Sequence, residues 1–197
     1  MKDLPGFLMA GIALTGSPGP ATLGLAAAGA AFGVRRSLGL FGGILIGVLI
    51  VMMVTASGLT GLLLAQPGLG PLVSLLAVGY MLYLAYRIAT APLAGANGQE
   101  TSPPGFVPGL FLGFGNPKAF AAMAALYSGF VLVEDHALAD VAAKTATLVL
   151  IMLAVNWAWL MIGSALTRAL HDPVMGRIIN VVFAVLLVVS VALAFAL

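Results

Sequence analysis

From Asp3 to Arg35 the chain carries no charged side chain. That run of about 30 residues would span about 45 Å as one straight helix, against a hydrocarbon core of about 30 Å. Five further apolar runs follow. The 197 residues are 62% hydrophobic and 7% charged, whereas soluble domains carry about a quarter charged residues. An all-α membrane protein with six transmembrane helices is the expected fold. The first run continues past the small residues Ala26, Ala27 and Ala28, so it reads as a retained span and not as a cleaved leader.

The first run is too long for a simple helix, and Ser17-Pro18-Gly19-Pro20 sits near its middle. Proline lacks a backbone donor and clashes with the preceding turn, so two prolines flanking a glycine make a strong break. Two half-helices with unwound backbone between them are expected; a kinked, tilted helix is the plainer alternative. The fourth run, about Phe106 to Val133, is also overlong. It is interrupted by Gly115-Asn116-Pro117-Lys118-Ala119, and an ammonium at bilayer depth costs at least about 2.5 kcal/mol. A charge kept there at that cost marks a candidate site.

The remaining runs are simpler. The second, about Leu38 to Ala65, repeats Gly39, Gly43 and Gly47 on one helical face, which lets another backbone approach closely. The third ends near Thr90 and puts Tyr80 and Tyr83 on one face with Arg87 a turn beyond. Tyrosines at a span end are usually interfacial anchors, and Tyr83 is kept as a candidate substrate contact. Residues 92–105 read as a linker between two three-helix halves, 1–91 and 106–197. The fifth run holds Asn156, Trp157 and Trp159, and the sixth is apolar apart from Arg177, Asn180 and Ser190.

Gly16-Ser17-Pro18 superposes on Gly115-Asn116-Pro117 when the halves are aligned. Three spans per half is an odd number, so the second half crosses in the opposite sense, an inverted-topology repeat. At 1.5 Å per residue both breaks, in helices 1 and 4, lie roughly 20 Å deep, near the midplane. Arg35, Arg36, Arg87, Arg168 and Arg177 fall on one side and Lys2 and Lys144 on the other. Positive loops stay in the cytoplasm, so both termini are expected outside.

Unwound backbone at that depth offers amides and carbonyls to a small polar solute. Half-helix N-termini and Lys118 suit a carboxylate, with Thr15, Ser17, Thr22 and Asn116 as neutral partners. Lys118 is read either as a substrate or proton-exchange group, or as a structural cap on carbonyls freed at Pro18 and Pro20. Asn156 is read first as a helix-to-helix hydrogen bond and second as a site residue. No Asp or Glu falls inside a run, which leaves Lys118 or the solute as proton carrier.

With no cysteine and two distant histidines, His136 and His171, no metal centre or cofactor is expected. No serine has a histidine at comparable depth, which argues against an enzyme. A formal charge of +2 is too small to suggest a nucleic-acid partner. The expected partners are a small-molecule substrate and the lipid bilayer; the glycine faces leave a homo-oligomer open. A cation or other metabolite exporter, an intramembrane enzyme and a membrane assembly partner are the alternatives.

The segments GIALTGSPGP from Gly11, GLFGGILIG from Gly39, VGYMLYLAYRIATAP from Val78 and GLFLGFGNPKA from Gly109 together resemble the LysE/RhtB family of bacterial amino-acid exporters. The resemblance covers nearly the whole chain. It implies a six-span inner-membrane antiporter that moves amino acids or related small metabolites outward on the proton gradient. It singles out Pro18, Gly19, Pro20, Asn116, Pro117 and Lys118. Relatives continue the fourth span with an aromatic and a Pro-Gln pair, where this chain has Ala125-Leu126-Tyr127-Ser128-Gly129-Phe130.

Overall fold

The computed structural model describes residues 3–58, 75, 78–79, 82–83, 85–86, 89–90, 104–166 and 172–196. Expectations on Lys2, Tyr80, Arg87, Arg168, His171, residues 59–65 and most of the linker lie outside these. Among the described residues the chain is all-helical, with no strand. Its helices are α1 (Leu4–Gly16), α2 (Pro20–Ala56), α3 (Phe106–Phe114), α4 (Pro117–Gly129), α5 (Ala137–Ala165) and α6 (Pro173–Ala196).

Proline places several of these starts. Pro20 opens α2 and Pro117 opens α4, where the missing N–H is one the helix would leave unpaired anyway. Inside α2, Gly33 has φ 74° and ψ 171°, a left-handed conformation that glycine reaches without a side-chain clash. Ser37 Oγ donates to Gly33 O at 2.8 Å across this bend. Thr22 and Val48 line one cavity, although an unbroken helix would hold them about 39 Å apart. The chain therefore doubles back at Gly33, two residues before the Arg35-Arg36 pair expected to close the first span.

Glycines carry the tightest crossings. A Cβ at Gly43 would strike Phe106 O, and one at Gly47 would meet Leu110 O; facing them, Gly109 lies on Leu40 O and Gly113 on Ile44 O. The face read from the 39, 43, 47 spacing thus packs backbone to backbone on α3. A second crossing seats Gly29 on Leu160 O and Gly163 on Ala26 O, joining the first half of α2 to α5. Phe7, Leu25, Leu40, Ile44, Leu112, Met123, Leu126, Leu148 and Leu160 fill the interior.

The outside is as apolar as the inside. Met9, Ile12, Leu150, Ile162, Ile178, Val182 and Val185 are exposed, whereas Thr22, Ser37, Asn116, Lys144, Asn156 and Asn180 are buried. An exterior of that kind needs a lipid partner. Of the described helices, α2 and α5 are long and apolar enough to cross a membrane.

A second lysine is enclosed besides Lys118. The α5 helix begins at Ala137, so Asp140 and Lys144, the latter counted above on the same side as Lys2, sit in its first turns. Lys144 is 3% exposed and its Nζ lies 2.6 Å from Asp140. Asp140 Oδ1 also accepts from the amides of Leu132 and Val133, at 2.6 and 3.0 Å. Those two amides sit in non-helical chain, and the carboxylate supplies the acceptor that a helix would have provided.

Candidate functional site

The interruption between α1 and α2 leaves a set of backbone carbonyls, and nearly all find donors. Ser17 N–H donates to Ala13 O and Ser17 Oγ to Leu14 O, both at 3.1 Å. Trp159 Nε1 donates to Gly16 O at 3.1 Å. Gly19 O accepts from Leu23 N–H at 2.9 Å, and Thr22 Oγ1 accepts from Gly19 N–H at 2.9 Å. Ser17 O and Pro18 O take theirs from outside the segment. Both accept from Lys118 Nζ, at 2.6 and 3.2 Å, across about a hundred residues of sequence.

Lys118 is placed for this by the second interruption. Gly115 N–H closes α3 on Phe111 O at 2.8 Å. Asn116 is then extended and its Oδ1 accepts from Lys118 N–H at 3.1 Å, capping α4 ahead of Pro117. The lysine stem passes over Gly19, where an added Cβ would lie 3.0 Å from Cδ and 3.1 Å from Nζ. Gly19 thus serves close approach; its φ of −171° is ordinary extended backbone.

A cavity of about 50 Å³ opens beside the two interruptions, room for about four water-sized groups. Its polar wall is Thr15, Gly19, Thr22, Asn116, Lys118 and Asn156, and its apolar wall includes Ile44, Val48, Met123, Met152 and Val155. Among the described residues no carboxylate lines it. Asn156 is 4% exposed, and no side-chain hydrogen bond joins it to another described residue. The helix-to-helix bond expected first for Asn156 is thus not formed among the described residues. Its amide lines the cavity instead, where water or a solute can reach it.

The structure brings Thr15, Gly19, Thr22, Asn116, Lys118 and Asn156 to one cavity, with Ser17 and Pro18 presenting their carbonyls to the lysine and with Pro20 and Pro117 opening the flanking helices. Tyr83 is 52% exposed and lies outside the cavity wall. Sequence reading missed Met152 and Trp159. They stand four residues before and three after Asn156, a spacing that shares a helical face and could have flagged both.

An apolar exterior around a small cavity with a lysine and two asparagine side chains on its wall is the arrangement of a membrane transport protein. The LysE type translocator family matches residues 12–197, and the chain belongs to that family. Cysteine/O-acetylserine efflux proteins of Salmonella choleraesuis (strain SC-B67) and Escherichia coli O1:K1 / APEC are 33% and 31% identical to it over 172 residues, covering 87% of this chain and 87% of each relative. No solved structure matches the chain. Family and relatives together support the class expected from the sequence, an exporter of amino acids or related small metabolites.

Proposed function

We propose that the chain exports small neutral amino acids and their O-acyl derivatives through the cavity between the two interruptions. The observation that carries this reading is Lys118, set by the second interruption and bonded to the carbonyls of the first. In this reading α1 with the first part of α2, and α3 with α4, are two membrane spans broken near the midplane. They are the leading spans of two inverted three-helix halves, residues 1–91 and 106–197. The inner membrane of a bacterium is the proposed location, with both termini in the periplasm.

The solute carboxylate meets Lys118 and the first amides of α2, those of Ala21 and Thr22, where the helix dipole adds to the lysine charge. Ile44, Val48, Met123 and Met152 receive a short side chain. A bare metal cation would want oxygen anions, and the cavity wall holds a lysine in their place. The relatives' printed substrates, cysteine and O-acetylserine, carry the carboxylate and short side chain that this wall suits. Export is coupled to the proton gradient, with Lys118 or the solute as the carrier.

The test is efflux from proteoliposomes loaded with a panel of labelled amino acids. Cysteine, serine and O-acetyl-L-serine are expected to leave quickly, and lysine, glutamate and tryptophan slowly. Equal rates across the panel, or no efflux above protein-free liposomes, would refute the proposal.

A further inference from the structure

The accounting of carbonyls leaves an unusual pair. Around the first interruption, Ala13, Leu14, Gly16 and Gly19 have donors from their own backbone, from Ser17 or from Trp159. Ser17 O and Pro18 O have only the ammonium of Lys118. Ser17 and Gly19 are extended, so the amides of Ala21 and Thr22, which a continuous helix would have offered to these two oxygens, do not reach back to them. Two carbonyl oxygens converging on one nitrogen are what a primary ammonium group seeks, because it has three donors and no acceptor.

An amino acid entering the cavity brings an ammonium of its own, and among the described residues no carboxylate lines the wall to receive it. Resting on the export reading above, we infer that the carbonyls of Ser17 and Pro18 form the binding site for the substrate's α-ammonium, which Lys118 Nζ occupies as a tethered stand-in when the cavity is empty. Substrate binding exchanges one ammonium for another. The α-ammonium takes the two carbonyls, and the displaced Lys118 pairs with the substrate carboxylate. Asn156, buried on the same cavity wall and unpaired among the described residues, completes the polar contacts. The exchange conserves the number of charge-assisted bonds at the carbonyls and adds one ion pair, so a zwitterion gains where an anion lacking the ammonium does not. Gly19 is what lets both occupants reach the carbonyls, since any side chain there would press on the lysine stem.

Two measurements test the inference. In wild-type proteoliposomes at mildly acidic pH, O-acetyl-L-serine should be carried at least about tenfold faster than its isomer N-acetyl-L-serine, which keeps the carboxylate and acetyl group but has no ammonium; losing hydrogen bonds to a charged group corresponds to a factor of about that size or more. Equal rates for the two isomers would overturn the ammonium site while leaving amino-acid export standing. The second measurement needs no transport. Ethylammonium, an amine without a carboxylate, should raise the thermal midpoint of detergent-purified Lys118→Ala, whose carbonyls have lost their tethered partner, and leave the wild-type midpoint unmoved. A similar shift in both proteins, or none in the variant, would overturn the site even if no amino acid were carried. If Lys118→Ala does not fold, the two isomers decide the matter.

Discussion

Two lysines in this molecule, Lys144 buried and Lys118 half-buried, both donate to backbone carbonyls near a helix end, and they differ in what else they meet. Lys144 Nζ donates to Tyr127 O at 3.0 Å and pairs with Asp140 at 2.6 Å. Its charge is cancelled, and Asp140 spends its other oxygen on the amides of Leu132 and Val133. Beside it, Tyr127 Oη and Thr145 Oγ1 share a further hydrogen bond, so the cluster is closed on itself. Lys118 Nζ has Ser17 O and Pro18 O but no carboxylate, and it stands at a cavity. Removing either partner of a closed pair strands a buried charge, whereas a lysine held only by carbonyls can exchange partners. The first arrangement fastens a loop; the second can handle a solute.

The largest expected effect breaks that comparison at Lys118. Lys118→Ala should lower efflux of O-acetyl-L-serine by about a hundredfold or more, as expected for losing a charged hydrogen-bonding group. The yield of inserted protein should stay near wild type. Efflux at the wild-type rate would make this lysine a cap like the other.

Next comes Lys144→Ala, which takes the cation from Asp140 and the donor from Tyr127 O and should cost about 1 kcal/mol of stability. That loss should appear as a lower thermal midpoint in detergent and as poor membrane yield. The double change Lys144→Met with Asp140→Asn should recover most of it, since a neutral pair strands no charge. Transport per inserted molecule should be close to wild type in the double variant. A large transport defect there would place the Asp140 cluster in the solute or proton path.

Two helix starts were legible because proline removes a donor that an apolar run does not give up cheaply, and α2 opens at Pro20 and α4 at Pro117. The Gly39, Gly43, Gly47 face was legible for a similar reason, since small residues at a fixed spacing have few uses other than close packing. The structural role considered for Lys118, a cap on carbonyls freed at Pro18 and Pro20, named the right stretch; that the oxygens are those of Ser17 and Pro18 comes from the geometry.

The direction in which Asn156 faces was hidden too, because α5 is apolar nearly all round and has little amphipathic signal to fix its rotation. Asp140 reads as a loop charge because only three residues separate it from Glu134, Asp135 and His136. The chain in fact turns sharply at Asp135, φ 62°, and enters the helix at Ala137. Tyr83 was kept for its polar hydroxyl, but it lies outside the cavity wall.

Smaller effects sharpen the comparison. Asn156→Leu should leave the thermal midpoint within a degree or two and raise the half-saturating substrate concentration about tenfold, the size of one neutral hydrogen bond to solute. A marked fall in stability with unchanged transport would return Asn156 to a packing role. Trp159→Phe removes the donor to Gly16 O and should cost about 1 kcal/mol. It should be seen as a modest drop in thermal midpoint.

The chain has no native cysteine, so one introduced thiol reports on one place. In a Thr15→Cys variant that still exports O-acetyl-L-serine, a small methanethiosulfonate reagent should modify the thiol, and saturating O-acetyl-L-serine should slow that reaction several-fold. Modification at the same rate with and without the solute, in protein that continues to transport, would contradict a pathway through the cavity between the two interruptions.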